Sequence, residues 1–144
     1  MRVADLLKNK GDKIISIPAG CTVADAVKVL CDHKIGAAVV LDENGSLVGI
    51  LSERDVTRGL GLEGAALLDQ PATKLMTSDV MTCKPEDSTD AIMRTMTDGR
   101  FRHMPVMKDG ALCGIISIGD VVKGRIDDLE NEASAMREYI AGSG

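Results

Sequence analysis

The sequence GILSERD at residues 49–55 returns as GIISIGD at residues 114–120. Each stretch runs from a glycine through two apolar residues to a serine, with an aspartate three residues later. A serine in that position caps a helix, and the aspartate then lies in the first turn of the same helix. The two stretches therefore predict one strand-to-helix unit that the chain contains twice.

The repeat extends from this motif toward the N-terminus. Residues 25–27 (DAV) match residues 90–92 (DAI), and residues 44–47 (NGSL) match residues 109–112 (DGAL). Both pairs have the same separation as the two motifs (90 − 25 = 109 − 44 = 114 − 49 = 65). Because self-similarity at a fixed period is typical of repeated structural units, we predict two copies with equal internal loops.

Within each copy the hydrophobic pattern predicts the order β-α-β-β-α. A short strand ends at a proline, Thr22 or Ser88 caps a helix, and an NG or DG dipeptide turns a hairpin. Ser52 and Ser117 then cap the second helix. The predicted strands are residues 14–17, 37–41 and 47–51 in the first copy, and residues 80–83, 103–107 and 112–116 in the second.

These elements predict an α+β fold. One copy alone has too little core to be stable, so we expect the two copies to pack sheet against sheet about a pseudo-twofold axis. The predicted segments are an N-terminal helix at 1–11, the first repeat at 12–64, a connector at 65–78, the second repeat at 79–130, and a C-terminal helix extension with a tail at 131–144.

The predicted last helix carries an apolar stripe at helical spacing well beyond the second repeat. An exposed helix of that length would leave this edge in water, so the stripe must be covered. It packs either at a homodimer interface or back on its own domain. Its residues are Val122, Ile126, Leu129, Ala133, Met136 and Ile140.

Composition argues against several function classes. The formal net charge of −5 and an aromatic content of 1% disfavour binding to a nucleic acid polymer. No apolar stretch approaches the length of a membrane span, and the four cysteines lack the spacing of a zinc or redox site. We therefore predict a cytoplasmic protein without a metal site.

At this point the chain resembles the CBS-domain family, as a tandem pair also called a Bateman module. The resemblance rests on both motifs and on two supporting stretches, KIGAAVV at 34–40 and RFRHMPV at 100–106. It covers about residues 12–130. It implies a disc-like pair of repeats with two clefts that often bind AMP, ADP, ATP, NAD(H) or S-adenosylmethionine. Members frequently form dimers and are not usually catalytic.

The motif also has a chemical interpretation. A carboxylate offers two acceptor oxygens to the two hydroxyls of a ribose, which suits Asp55 and Asp120 to hold the sugar. The amides that follow Ser52 or Ser117 lie at a helix N-terminus, where a phosphate binds well. The alternative is a capping box that stabilises the helix without any ligand.

Phosphate binding needs cations, and the two copies differ in them. The second copy has Arg100, Arg102 and His103, whereas an offset of 65 assigns the neutral residues 35, 37 and 38 to the same positions in the first copy. We therefore predict that the stronger site is built around Ser117 and Asp120, with Arg54 reaching across from the first repeat. The alternative is that these arginines are solvated strand ends.

We expect the adenine ring to lie between aliphatic side chains and to bond with the backbone near Thr82 and Cys83. The predicted walls are Ile17, Ile35, Val80, Met104 and Ile118. The complete predicted ligand-binding set is Ser117, Ile118, Gly119, Asp120, Arg100, Phe101, Arg102, His103, Met104, Pro105, Thr82, Cys83, Val80, Ser52, Arg54, Asp55, Ile17, Ile35, Gly36 and Ala37.

The predicted function is regulatory. The module binds AMP, ADP, ATP or NAD(H) between its repeats, and a partner protein reads the resulting conformational change. Which protein it regulates is not evident from the sequence. The alternative is a ligand-free scaffold for dimerisation or docking. An enzyme is disfavoured because no set of acid, base, nucleophile or metal ligands can be assembled, and no catalytic residue is predicted.

Overall fold

The structure, a computed structural model, describes residues 1–11 and 13–143. The predicted boundary at residue 12 and the end of the predicted tail, Gly144, lie outside the described residues. No helix in the described part of the chain is long and apolar enough to cross a membrane. The fold is α+β, with α-helices and two small sheets, as the sequence predicts.

Each repeat contains a hairpin flanked by two helices. The first repeat consists of β1 (Ser16–Pro18), α2 (Val23–His33), β2 (Ala37–Leu41), β3 (Leu47–Ser52) and α3 (Glu53–Glu63), and it follows α1 (Val3–Lys10). The second consists of α4 (Thr89–Gly99), β4 (His103–Lys108), β5 (Ala111–Ser117) and α5 (Ile118–Ser143). The connector forms short 3₁₀ turns at Gly64–Asp69 and Ala72–Lys74.

The first strand of each predicted unit differs from expectation. β1 runs parallel to β2 but begins two residues later and ends one residue later than predicted, so it includes Pro18, which an edge strand tolerates. The predicted strand at 80–83 is wrong: Cys83 alone forms a bridge, with Val106. The chain turns away directly afterwards, because the Lys84 amide donates to Asp87 Oδ2 at 2.8 Å. One bridge is too short to make a ladder.

The repeats align with an offset that changes at the hairpin. Both first helices end at a residue in the left-handed region, Lys34 (φ 53°) and Arg100 (φ 57°), which gives an offset of 100 − 34 = 66. The serine caps give 117 − 52 = 65. The prediction of equal loops is therefore wrong by one residue.

The difference of one residue arises in the turn of the second hairpin, which is shorter than the turn of the first. Val40 pairs with Gly49 across the first hairpin, and Val106 pairs with Gly114 across the second, so the chain is one residue shorter there. Asp109 (φ 52°) and Gly110 (φ 80°) form a tight two-residue turn, the geometry that a DG dipeptide favours.

Most of the buried apolar side chains form two clusters, one in each repeat. The cluster of the second repeat includes Val3 and Leu6 of α1, and the Val3 amide donates to the Asp87 carbonyl at 2.9 Å. The cluster of the first repeat includes Ala72 of the connector. Each repeat is thus completed by the segment that precedes the other repeat.

Helix α5 packs on its own domain through one side only. Val121 is 1% exposed, and a Cβ at Gly124 would lie 2.5 Å from Leu6 Cδ2. The predicted apolar stripe is on another side, where Ile126 and Leu129 are each 49% exposed. The stripe does not fold back on its own domain in this structure.

The contribution of α1 to the second repeat predicts a large effect of Leu6→Ala. Leu6 is buried, so truncation should lower the free energy of unfolding by about 2–4 kcal/mol in urea titrations. Leu62→Ala makes the same change at a side chain that is 87% exposed, and its effect should stay below about 0.5 kcal/mol. Equal effects of the two substitutions would contradict the packing of α1 in this core.

Candidate functional site

A cleft of about 290 Å³ opens between the two repeats, near the lower end of the usual range for ligand pockets. We call it the Asp55 cleft. The first repeat contributes the end of β3 and the first turns of α3, the second repeat contributes the chain before and at the start of β4, and the connector contributes one wall. Its lining residues are Gly36, Ala37, Ile50, Ser52, Glu53, Arg54, Asp55, Arg58, Thr77, Asp79, Val80, Met81, Gly99, Arg100, Phe101, Arg102 and His103.

Asp55 is oriented by a capping box. Its Oδ2 accepts from the Ser52 amide at 2.9 Å and from Ser52 Oγ at 3.0 Å, while the Asp55 amide donates to Ser52 Oγ at 3.3 Å. The capping box proposed as the alternative is therefore present. Within the described residues no hydrogen bond falls on Oδ1, so that one oxygen stays available to a ligand.

Four arginines from two elements surround the cleft. Arg54 and Arg58 lie on α3, whereas Arg100 and Arg102 lie before β4. All four are exposed, and none of them forms an ion pair among the residues that the structure describes. Although acidic side chains also line the cleft, this grouping of cations from both repeats suits an anionic ligand.

The corrected offset changes the comparison between the repeats. The equivalent of Arg100 is Lys34, not Ile35, so the first repeat also has a cation at this position. Lys34 lines a different groove of about 420 Å³ beside α2 and α3. The contrast between a cationic and a neutral repeat, predicted with the offset of 65, is therefore wrong at this position.

At the second motif the aspartate already has a cationic partner. Lys10 Nζ lies 2.8 Å from Asp120 Oδ2 and donates to the Ile115 carbonyl at 2.9 Å. The Ser117 amide also donates to Asp120 Oδ2, at 2.8 Å. Burial acts to raise the pKa of Asp120, but the hydrogen bonds from Lys10 and from Ser117 outweigh it and hold that pKa below its ordinary value.

His103 lies between the two motifs. A Cβ at Gly36 would be 3.6 Å from His103 Cε1 and 3.4 Å from Glu53 Oε1, which places the imidazole beside the Asp55 cleft. Burial, and then the charge of Lys10, lower the pKa of His103 below its ordinary value of 6.5, although Asp120 and Glu53 act against them. The ring is therefore neutral at pH 7.

The structure brings together only part of the predicted site. Arg100, Arg102 and His103 line the cleft of the first motif, with Ser52 and Asp55, rather than a cleft with Ser117 and Asp120. Arg54 does reach the second repeat, since it also lines a groove of about 340 Å³ there. Gly36, Ala37, Val80 and Phe101 line the cleft as well.

Several predicted adenine contacts do not line the cleft. Ile17, Met104 and Cys83 are core residues that are at most 3% exposed, and the backbone amide of Cys83 is bonded to the Pro105 carbonyl. Burial raises the pKa of the Cys83 thiol to about 12. The remaining predicted residues outside the cleft are Ile35, Thr82, Pro105, Ser117, Ile118, Gly119 and Asp120.

Other lining residues were missed by the sequence prediction. Arg58 follows Arg54 by one helical turn, and that spacing could have indicated it. Ile50, Asp79 and Met81 face the cleft because the connector pairs with β3, where Ile50 bridges Thr77. That pairing has no sequence signal. No cluster of residues that could hold a metal ion occurs in the described part of the chain.

Comparison with known proteins gives consistent matches. The sequence model of the CBS domain matches residues 3–61 and 72–127. A mitochondrial CBS domain-containing protein of Arabidopsis thaliana is 35% identical over 97% of this chain and 72% of its own length. The crystal structure of a CBS-domain containing protein from Agrobacterium tumefaciens is 45% identical, with a TM-score of 0.85 over 87% of this chain and 99% of that one. A CBS domain protein from Pyrobaculum aerophilum, complexed with AMP, is 28% identical, with a TM-score of 0.74 over 83% and 89% of the two chains.

The lowered pKa of His103 predicts a pH-dependent stability. Between pH 6.5 and the lower folded-state pKa, the unfolded chain binds a proton that the folded chain binds less well. The free energy of unfolding is therefore at its full value above pH 6.5 and decreases as the pH falls through this interval. His103→Gln should flatten the dependence of the free energy of unfolding on pH just below pH 6.5. His33→Gln, the same substitution at an exposed helix end, is the control for the change of residue itself. An unchanged slope in His103→Gln would contradict the effect of burial.

Proposed function

This chain belongs to the CBS-domain family, and from that premise we propose that it is a regulatory module that binds an adenine nucleotide in the Asp55 cleft. The proposal assigns it no catalytic role. The single observation that carries it is the joint lining of one cleft by Asp55 and by arginines of both repeats. The AMP complex of the Pyrobaculum aerophilum relative supports the choice of ligand class.

Each part of the nucleotide has a counterpart in the cleft. Asp55 Oδ1 accepts from the ribose hydroxyls, because Oδ2 is held by Ser52. The phosphates lie among Arg54, Arg100 and Arg102, where a guanidinium binds two phosphate oxygens at once. The ring of Phe101 and the apolar side chains along the connector wall contact the base. AMP, ADP, ATP and NAD(H) share this chemistry.

Because both repeats and the connector line the cleft, a ligand bridges segments that are far apart in the chain. Its binding energy then favours the arrangement of the repeats in which all the contacts are made, and a partner protein reads that shift. The proposal includes a homodimer, and the cytoplasmic location stays a prediction from the sequence.

A ligand-free scaffold is the second candidate. It is favoured by the exposed apolar side chains of α5, such as Met136, which is 59% exposed. The two candidates differ in whether a nucleotide raises the melting temperature of the purified chain, since only a specific ligand stabilises by mass action.

Titration calorimetry with AMP and 2′-deoxy-AMP tests the proposed ribose contact. We expect the deoxy compound to bind roughly tenfold more weakly, because it lacks a hydroxyl that donates to a charged oxygen. Asp55→Ala should remove this preference. Asp120→Ala is the matched control, since it breaks the equivalent capping box and should keep the preference. No binding of AMP, ADP, ATP or NADH at millimolar concentration would contradict the proposal.

A further inference from the structure

The exposed stripe of α5 has the spacing of a coiled-coil seam. Its apolar residues follow one another at intervals of four, three, four and three, which places them at the a and d positions of a heptad repeat. The four larger ones are between 44% and 59% exposed. In chain order the seam residues are Val122, Ile126, Leu129, Ala133 and Met136.

The domain to which α5 belongs holds the helix from the opposite side. Val121, Gly124 and Asp128 contact the rest of the chain, with Asp128 Oδ2 4.0 Å from the amino group of Met1. These residues occupy the c and f positions, which lie across the helix from a and d. The seam is therefore turned outward.

The charged residues beside the seam are complementary to those of a second copy of the helix. Arg125 and Glu132 occupy g positions, and Glu130 and Arg137 occupy e positions. In a parallel pair each g residue meets the e residue of the partner's next heptad, so Arg125 meets a glutamate and Glu132 meets an arginine. All four side chains are exposed, and none has an ion pair within the described residues.

We infer that α5 forms a parallel two-stranded coiled coil with a second copy of this chain. Ile126 at an a position and Leu129 at a d position are the combination that favours two parallel strands. This inference rests on the homodimer included in the proposed function and adds its interface and orientation. Nucleotide binding is measured separately, so the two can fail independently.

Sedimentation equilibrium of the full chain at low salt tests the coiled coil. Glu130→Arg sets two arginines against each other across each side of the seam and should raise the dimer dissociation constant by roughly tenfold. The double variant Arg125→Glu with Glu130→Arg restores opposite charges only in a parallel pair, and should recover the affinity of the original chain. Glu138→Arg makes the same charge change at an f position, on the side of the helix away from the seam, and should have no effect.

Three results would overturn the inference. They are a monomeric wild-type chain at micromolar concentration, equal dissociation constants for Glu130→Arg and Glu138→Arg, and a double variant as weak as Glu130→Arg. The last result would indicate an antiparallel pair, in which e residues face e residues. Circular dichroism of each variant checks that the fold is retained.

A different observation concerns the second motif. In the first repeat the Ile50 carbonyl accepts from the Thr77 amide at 2.9 Å, so a backbone group satisfies it. The equivalent carbonyl in the second repeat, of Ile115 (115 − 50 = 65), accepts from Lys10 Nζ at the same distance. The same ammonium group lies 2.8 Å from Asp120, the equivalent of Asp55. The ammonium and the Ser117 amide both bond Oδ2 of Asp120, so Lys10 opposes a ribose by its charge and bulk beside the carboxylate rather than by occupying Oδ1.

We infer that Lys10 blocks the second motif and so restricts an adenine nucleotide to the Asp55 cleft. The ammonium is delivered by α1, whose Val3 and Leu6 are buried in the second repeat, so it is held in place. Because the ammonium stands beside the carboxylate, we expect a nucleotide to bind well at Asp120 only when Lys10 is displaced. The apparent dissociation constant there is then the intrinsic one divided by the fraction of molecules in that open state. This inference rests on the proposed function for the class of ligand.

Calorimetry with AMP on the full chain tests the block. Lys10→Met removes the ammonium and keeps most of the side-chain stem. The dissociation constant of AMP at the second motif, around Asp120, should be roughly tenfold lower in this variant than in the wild-type chain. The gain should persist when Asp55→Ala is added and vanish when Asp120→Ala is added. Lys8→Met, at an exposed position of the same helix, is the control.

The outcomes separate this inference from the proposed function. No gain in Lys10→Met, or weaker AMP binding than in the wild-type chain, overturns the inference, because Lys10 would then be neutral or a ligand contact. A wild-type chain without an AMP site contradicts the proposed function alone. A melting temperature near that of the wild-type chain checks that Lys10→Met folds.

Discussion

The hydrogen bond from the Ser52 amide to Asp55 Oδ2, 2.9 Å long, is the constraint on which the site depends. It holds the end of β3 and the first turn of α3 in one geometry, and it leaves the other carboxylate oxygen of this cleft residue without a hydrogen bond from the described residues. The same bond occurs in the second repeat, from the Ser117 amide to Asp120 at 2.8 Å. In the proposed function stability and ligand recognition therefore draw on one interaction, so the capping box and the proposed ribose contact are not exclusive.

The two motifs diverge through the segments that precede them. The connector pairs with β3 through its backbone, between Thr77 and Ile50, and so leaves the Asp55 carboxylate open. Before the second repeat, α1 reaches the equivalent carbonyl with the side chain of Lys10 instead. At the first motif the backbone pair of Ile50 and Thr77 forms one wall of an open cleft. At the second motif the ammonium of Lys10 forms an ion pair with Asp120. The structural asymmetry between the two motifs thus begins outside the repeated motifs, and the functional asymmetry that we propose begins there too.

Helix α5 connects this asymmetry to the proposed assembly. Its first turn contains Asp120, and its exposed seam begins at Val122, so the blocked motif lies at the root of the helix that we propose as the dimer interface. A helix is a stiff element, so in this proposal a change in the position of Asp120 moves the seam with it. The homodimer and the two motifs are therefore parts of one mechanical unit in this proposal.

The sequence by itself determined the repeated unit, its α+β class and the serine caps, because these depend on local spacing and on residue types that act within a few positions. It did not determine the true register between the two repeats. A one-residue deletion in the second hairpin shifts the equivalent of Arg100 from Ile35 to Lys34. An alignment made on the residues near the motif does not reveal this deletion. Only the tertiary structure decided which carboxylate joins the arginines of the second repeat. That choice depends on how the two repeats approach each other and on which groups the ammonium of Lys10 reaches. Both depend on contacts between segments far apart in the chain, so no local pattern encodes them.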